Sequence, residues 1–361
     1  MTANSNLPRV SVVVPTHNPR MDYLARVIDA LRAQTLSPEQ WELLVVDNGS
    51  KQPLAAVASG KVAMCESGKT DGSRQAVAER PRDEETTKEM QVSASLPSHL
   101  HTFPPFTELD LSWHPHARIV REERTGLTPA RLRGFAETTG ELIVLVDDDN
   151  VLDPDYLAKA LEIAGEFPFL GSWSGQSVLE FEDPALQPPA MLRSLLLERH
   201  LDRDYWSNDR HHTKSDPYGA GMCVRRAVAQ AYERRLADQP KRVGLDLAGN
   251  DLVYGGDLDL AFTGLDIGLG KGAFQRLKFT HLIPKSRCSM DYLLRAAEGH
   301  AYSEVIAAKL NGDRPPHRDK TLAAKTLRWL RGLKHGSAYR EFWAARRRGI
   351  EKAEGKLGLR G

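Results

Sequence analysis

The sequence predicts an α/β fold built on a mostly parallel, Rossmann-like sheet flanked by helices. Three observations carry that expectation. Leu142 to Val146 is an unbroken apolar run that ends in three carboxylates, Asp147, Asp148 and Asp149. Such a run reads as a strand buried on both faces, as in a parallel sheet covered by helices. Val10 to Val14 and Leu43 to Val46 are two further apolar runs, separated by Leu24, Val27, Ile28 and Leu31 at helical spacing. Strand, helix, strand with short loops is a βαβ unit. All three runs deliver polar residues at their carboxyl ends, the edge where open α/β sheets bind ligands.

Taken in order, the first strand is expected to end at Pro15, followed by the polar loop Thr16, His17, Asn18 and Pro19. The second ends in Asp47-Asn48-Gly49-Ser50. Residues 51–110 are rich in Gly, Ser, Thr and charge and lack apolar periodicity, so they read as a long mobile insertion. Ala117 to Val120 is a short strand. In Gly126-Leu127-Thr128-Pro129-Ala130-Arg131, Thr128 can cap a helix whose first position is Pro129. Arg131 then falls in the first turn, where the helix dipole does not favour a cation. A salt bridge or an anionic ligand should hold it. A helix from about Pro154 to Gly165 follows the acids, then a strand from Phe167 to Leu179 and a helix from Met191 to Leu197. The loop His200 to Tyr218 is polar and aromatic, and Gly219 to Arg226 reads as a strand with small residues where a ligand can approach the backbone. Gly255 to Leu260 puts Asp257 and Asp259 at the start of a helix that runs to about Ile267. Residues 286–310 are largely helical, and the rest is two basic helices.

At 361 residues the chain has room for two domains or one large one. Its 41% hydrophobic and 27% charged residues belong to the soluble globular class. No apolar run approaches the ~20 residues of a spanning helix. Met1 to Pro8 has no apolar core of a signal peptide, and the three distant cysteines fit a reducing compartment. A cytoplasmic protein is therefore expected. The net charge of +1 hides an asymmetry: residues 317–361 carry +9 and the remainder −8.

Three adjacent acids at a strand end repel one another, and a hard divalent cation such as Mg2+ or Mn2+ relieves that repulsion. The competing account is a solvated acidic turn before the next helix. With a separate acid on a later helix, the pattern suits group transfer from a nucleotide diphosphate. The metal offsets charge on the leaving group and the separate acid serves as general base.

Val12 to Asn18, Val45 to Ser50, Gly126 to Arg131 and Val146 to Asp149 together resemble glycosyltransferase family 2 in order and spacing, apart from the insertion after Ser50. Gly219 to Arg226 and Gly256 to Leu260 extend the resemblance, which covers roughly residues 10–302. It implies a GT-A fold, to which the residues read above add a C-terminal helical tail, and inverting transfer from a nucleoside-diphosphate sugar, UDP-sugars first. It also implies roles. Asp149 would bind the metal, with Asp147 or Asp148 reaching the ribose or a metal-bound water, and His281 a further contact to metal or diphosphate. Pro15, Thr16, His17, Asn18, Asp47, Arg131 and Gly221 would line the nucleotide-sugar site, and Asp257 would be the catalytic base. Residues 1–150 would form the nucleotide-sugar half, 151–310 the acceptor and catalytic half, and 311–361 the basic tail.

Two positions depart from the family pattern. Gly256 stands where the family has Glu, and Leu132 where it usually has Asn. The alternative reading is a nucleotide-sugar-binding protein that has lost catalysis; Gly256 favours it, while Asp257 and Asp149 oppose it. Without the Gln-x-x-Arg-Trp signature of processive synthases, a single-addition enzyme acting on a glycan or lipid-linked acceptor is expected. In the tail, Leu322, Leu327, Trp329, Leu330 and Leu333 alternate with Lys and Arg, a composition that suits peripheral contact at the inner face of a membrane. Packing of the same apolar side on the acidic body is the rival account. Nothing in the catalytic half asks for nucleic acid.

Overall fold

A computed structural model describes residues 8–58, 61–63, 107–245, 255–313 and 322–358. The first half opens with β1 (Val10–Thr16), α1 (Met21–Arg32) and β2 (Trp41–Asp47), the expected βαβ unit. Then come β3 (Leu54–Ala58), β4 (Lys61–Ala63), β5 (Thr107–Asp110), β6 (Ala117–Arg121), α2 (Leu127–Glu137) and β7 (Leu142–Leu145). The second half contains β8 (Asn150–Leu152), α3 (Tyr156–Glu166), β9 (Leu170–Phe181), β10 (Tyr205–Ser207), β11 (Met222–Arg225) and α4 (Arg226–Asp238). It closes with α5 (Gly256–Asp266), β12 (Gly270–Ile283), α6 (Met290–Leu310) and α7 (Leu322–Lys356).

One sheet runs through both halves in the order β10-β12-β9-β11-β7-β1-β2-β6, with β8 paired to β12. The segment β7-β1-β2-β6 is parallel throughout. β11 is antiparallel to both β7 and β9, and β12 is parallel to β9. The chain leaves β1 towards β2 and β6 on one side, then returns to β7 on the other. The carboxyl ends of β1 and β7 therefore flank the point where the strand order reverses, which is where open sheets leave a crevice.

Alternation along β1 splits the core into two layers. Val12 and Val14 face α1 and α3, packing with Leu24, Ile28, Leu157 and Ile163. Val13 faces α2, α4 and α5, packing with Phe135, Val228 and Leu260. Every residue of β1 and β2 is buried, as an apolar run without alternation requires.

Several boundaries differ from expectation. β1 continues through Pro15, which stays in register with Val46, because β7 pairs only as far as Val13 and a proline is tolerated once pairing on one side has ended. Helix α2 begins at Leu127 with Gly126 in the cap position at φ 130, so Thr128 is inside the first turn and is not the cap. Pro129 sits there without penalty, since first-turn N–H groups need no helical partner. The segment Met191 to Leu197 is a 3-10 helix, Ala190–Leu196, rather than an α-helix. Arg226 opens α4, a helix the sequence reading did not separate from the strand before it.

The expected insertion is not wholly without structure. Its two ends form a small sheet, β4-β3-β5, in which Leu54 pairs with Thr107. Residues 64–106 lie outside the described residues. The tail is helical as expected, with a break at Gly336 (φ 80) that divides it into two. Its second stretch packs on α6: Ala345 and Ala353 are buried, and Arg346 and Arg348 pair with Glu304 and Glu298 at 2.7 and 2.9 Å. The side chains of Leu322, Leu327, Trp329, Leu330 and Leu333 lie outside the described residues. Among those described, no helix is long and apolar enough to cross a membrane.

Candidate active site

The crevice at the β1/β7 switch gathers most of the residues singled out by sequence. Thr16, at the end of β1, donates its hydroxyl to Asp148, at the end of β7. Asp147 and Asp148 are half-buried, and Asp149 is buried. Burial, and then the charge of Asp149, push Asp147 up to about 6 and Asp148 up to about 7. Burial works against Asp149 as well, but His281 and Arg287 overcome it and hold that carboxyl at about 2. Asp149 Oδ2 lies 3.0 Å from Arg287 Nη1 and 3.4 Å from His281 Nε2. Asn150 donates to the other oxygen at 3.0 Å.

His281 lies within β12, and its register opposite Asn150 of β8 brings it to the acids. Its Nδ1 is 2.9 Å from the Leu196 carbonyl, which leaves Nε2 facing Asp149. An imidazole aimed by its second nitrogen is how histidines are set as metal ligands. Among the described residues, however, no three His, Cys, Asp or Glu side chains gather as a ligand set. Of the expected metal residues Asp147, Asp149 and His281, the contact given is that of His281 Nε2 to Asp149 Oδ2 at 3.4 Å. Two protein ligands suit a Mg2+ or Mn2+ whose remaining positions are filled by phosphate oxygens and water.

Across the crevice, Asp257 occupies the first turn of α5. Arg131 Nη1 lies 2.6 Å from its Oδ1, and the Gly219 N–H donates to its Oδ2 at 3.0 Å. Arg131 is buried, so the side chain that the α2 dipole disfavours is held by a carboxylate of the opposite half. Gly219 is required for this approach: a Cβ there would lie 2.3 Å from the Asp257 carboxylate oxygens. Gly221 has φ +65, and its carbonyl accepts a 2.6 Å hydrogen bond from Tyr156. Gly219 to Gly221 precede β11 and do not belong to it.

The loop after β1 is built from short polar links. His17 Nδ1 is 2.7 Å from the Asn48 carbonyl. Asn18 adopts φ 49, a left-handed conformation that Asn tolerates, and its N–H donates to Ser50 Oγ at 2.8 Å. Asp47 is already committed to the protein. It accepts from Ser50 N–H, Leu54 N–H and Arg121 at 3.0, 3.2 and 2.8 Å, so it shapes the loop around the crevice.

Two contributors were not singled out by sequence. Asn48 fastens three segments together: its side chain donates to the Arg124 carbonyl at 2.7 Å and accepts from Gly126 N–H at 2.7 Å, and its own N–H reaches the Thr16 carbonyl at 2.8 Å. Its signal was its place just after a strand and before a glycine. Arg287 is the cation beside Asp149, on a 3-10 turn, Lys285–Cys288, that leads into α6. Its signal was charge balance, because three clustered acids require a positive partner somewhere in the chain.

Comparison with known proteins adds a family. The sequence model described as Glycosyl transferase family 2 matches residues 11–78 and 107–231, more than half of the chain. No curated protein sequence matches. Among solved structures, the chain is similar to S. aureus TarS 1-349, at 12% identity with 97% of this chain and 92% of that one covered, TM-score 0.41. The same protein in complex with UDP-GlcNAc gives 12% identity, the same coverage and a TM-score of 0.44.

Proposed function

The chain belongs to glycosyl transferase family 2, and from that membership we propose how its GT-A fold works as a glycosyltransferase. It moves a sugar from a nucleoside-diphosphate sugar, with UDP-sugars the first to test, to a hydroxyl of a glycan or lipid-linked acceptor, inverting at the sugar. The observation that carries this reading is the facing arrangement at the switch point: a cluster of three acids on one wall and Asp257, fixed at both oxygens, on the other.

Pro15, Thr16, His17, Asn18 and the loop shaped by Asp47 receive the nucleotide. Thr16 holds Asp148 in place. Asp149 and His281 would hold the divalent ion, which when bound supplies positive charge against the leaving diphosphate. Asp257 takes the proton of the acceptor hydroxyl as its oxygen bonds to the sugar carbon and the nucleoside diphosphate departs. Arg131 and the Gly219 N–H keep the carboxylate aimed while it does so. Gly221 shapes the backbone beneath the site, where a Cβ would meet the Tyr156 hydroxyl at 2.5 Å.

Two variants test the assignment. Asp149→Ala should abolish Mn2+-dependent donor binding, and unchanged donor affinity in Mn2+ would place the ion elsewhere. Asp257→Asn should lower turnover about a hundredfold to ten-thousandfold with nearly intact donor binding. Wild-type turnover in that variant would remove Asp257 as the base, and donor binding without turnover in the wild type would favour the degenerate reading that Gly256 suggests.

A further inference from the structure

Beside Asp257 lies a cavity of about 390 Å³, lined in part by Arg199, Asp202, Tyr205, Lys214, Asp216 and Tyr218. Its wall runs straight into the base. Tyr218 N–H donates to Ser174 Oγ at 2.8 Å, and the next residue, Gly219, donates to Asp257 at 3.0 Å. Consecutive Cα atoms are about 3.8 Å apart, so the cavity wall and the backbone that holds Asp257 adjoin.

The cavity presents cations without a carboxylate partner. Many arginines of the chain pair with carboxylates, as Arg26 does with Glu180 and Arg276 with Glu166, while Arg225 and Arg226 are held by backbone carbonyls within the fold. Among the described residues, neither Arg199, Arg203 nor Lys214 is ion-paired. Arg199 donates to the carbonyls of Asp216 and Lys214 at 2.7 and 2.8 Å. Lys214 donates to the Tyr205 hydroxyl at 3.1 Å. Of the local carboxylates, Asp216 pairs with the buried Lys271, while Asp202 accepts from the Tyr205 hydroxyl at 2.6 Å and offsets part of the Lys214 charge. Arg199 lies over the Tyr218 ring at 4.7 Å, with Lys214 and Arg203 over Tyr205 at 4.9 and 5.2 Å. The cavity thus offers positive charge rather than bare aromatic faces for a neutral sugar. Burial works against the Arg199 charge, an opposition that a bound anion relieves.

We infer that this cavity is the acceptor subsite and that its acceptor carries an anionic group, a phosphate or a carboxylate, close to the attacked hydroxyl. The inference rests on the glycosyltransfer reading above. The anion docks between Arg199 and Lys214 and fixes the sugar so that a neighbouring hydroxyl meets Asp257.

The test uses the full chain and three probes, glucose 6-phosphate, glucuronate and glucose, titrated calorimetrically. UDP binding and hydrolysis of a UDP-sugar are measured alongside. Both anionic probes should bind about tenfold or more tightly than glucose, as expected for one charge-assisted hydrogen bond. Lys214→Gln, at an exposed position, should remove most of that advantage and leave UDP binding unchanged. Arg203→Gln serves as a second variant that does not touch the carbonyls Arg199 holds. Equal binding of glucose and its anionic counterparts, or anion preference intact in both variants, overturns the subsite while nucleotide binding persists. Anion preference in a chain that neither binds UDP nor hydrolyses any donor overturns the acceptor role through the reading beneath it.

Discussion

At the scale of single residues, the crevice depends on a glycine that carries no chemistry. Gly219 lets Asp257 press against the backbone, and an added methyl would meet the carboxylate at 2.3 Å. Gly219→Ala should therefore displace Asp257, break the 3.0 Å N–H contact and loosen the Arg131 pair. Overpacking of this kind costs roughly 1–3 kcal/mol. We expect a lower Tm and reduced turnover with donor affinity retained; turnover equal to wild type would mean that the base works without this contact. The same residues show what sequence can and cannot give. Asp147 to Asp149 were legible because a buried strand announced where they end. The partner of Arg131 was not, because Asp257 is 126 residues away and its placement depends on how α5 returns to the sheet. Dipole reasoning did indicate that Arg131 needed an anion, and left open which one.

Elements were legible wherever their periodicity was unmixed. The runs in β1, β2 and β7 are apolar on both faces, so neither their type nor their burial was ambiguous. The start of α2 was misplaced because Thr128-Pro129 has the local chemistry of a helix start, yet Asn48, a residue 78 positions before Gly126, holds Gly126 and sets the true one. Tertiary contact overrode local preference there. A second long-range cluster sits at the opposite end of β2, where His114 packs edge-on against Trp41 with ring centroids 4.1 Å apart. Burial, and then the neighbouring His116, push His114 from 6.5 down to about 4. Between those values the native chain keeps it neutral while the unfolded chain takes up the proton. Its contribution is complete above pH 6.5 and is lost as pH falls towards 4, at up to about 1.4 kcal/mol per pH unit. Urea unfolding from pH 7.5 to 4.5 should show a shallower loss of stability in His114→Gln, and identical slopes would exclude this histidine as a source.

For the whole molecule, the asymmetry of charge has a structural counterpart. The second stretch of the basic tail lies on α6, with Ala345 and Ala353 buried and two arginines paired to glutamates. Packing on the body thus accounts for that stretch, and a membrane role would fall to the first. A chain ending at Pro316 should lose several degrees of Tm, since an apolar strip of α6 becomes exposed. The full chain should pellet with anionic but not neutral vesicles. Negligible pelleting with both would remove the membrane contact and leave packing as the tail's role.

The Arg131–Asp257 pair also decides whether the chain can be cut in two. Residues 1–150 expressed alone would keep Arg131 in α2 but lose the carboxylate that neutralises it. Removing one partner of a buried pair typically costs about 3–5 kcal/mol, a large part of a domain's whole stability. The same cut strips β11 from β7 and leaves one edge of an apolar strand unpaired. Proteolytic fragments and split expression should thus yield insoluble pieces, and any shuffling of the two halves between related chains must carry the arginine and the aspartate together.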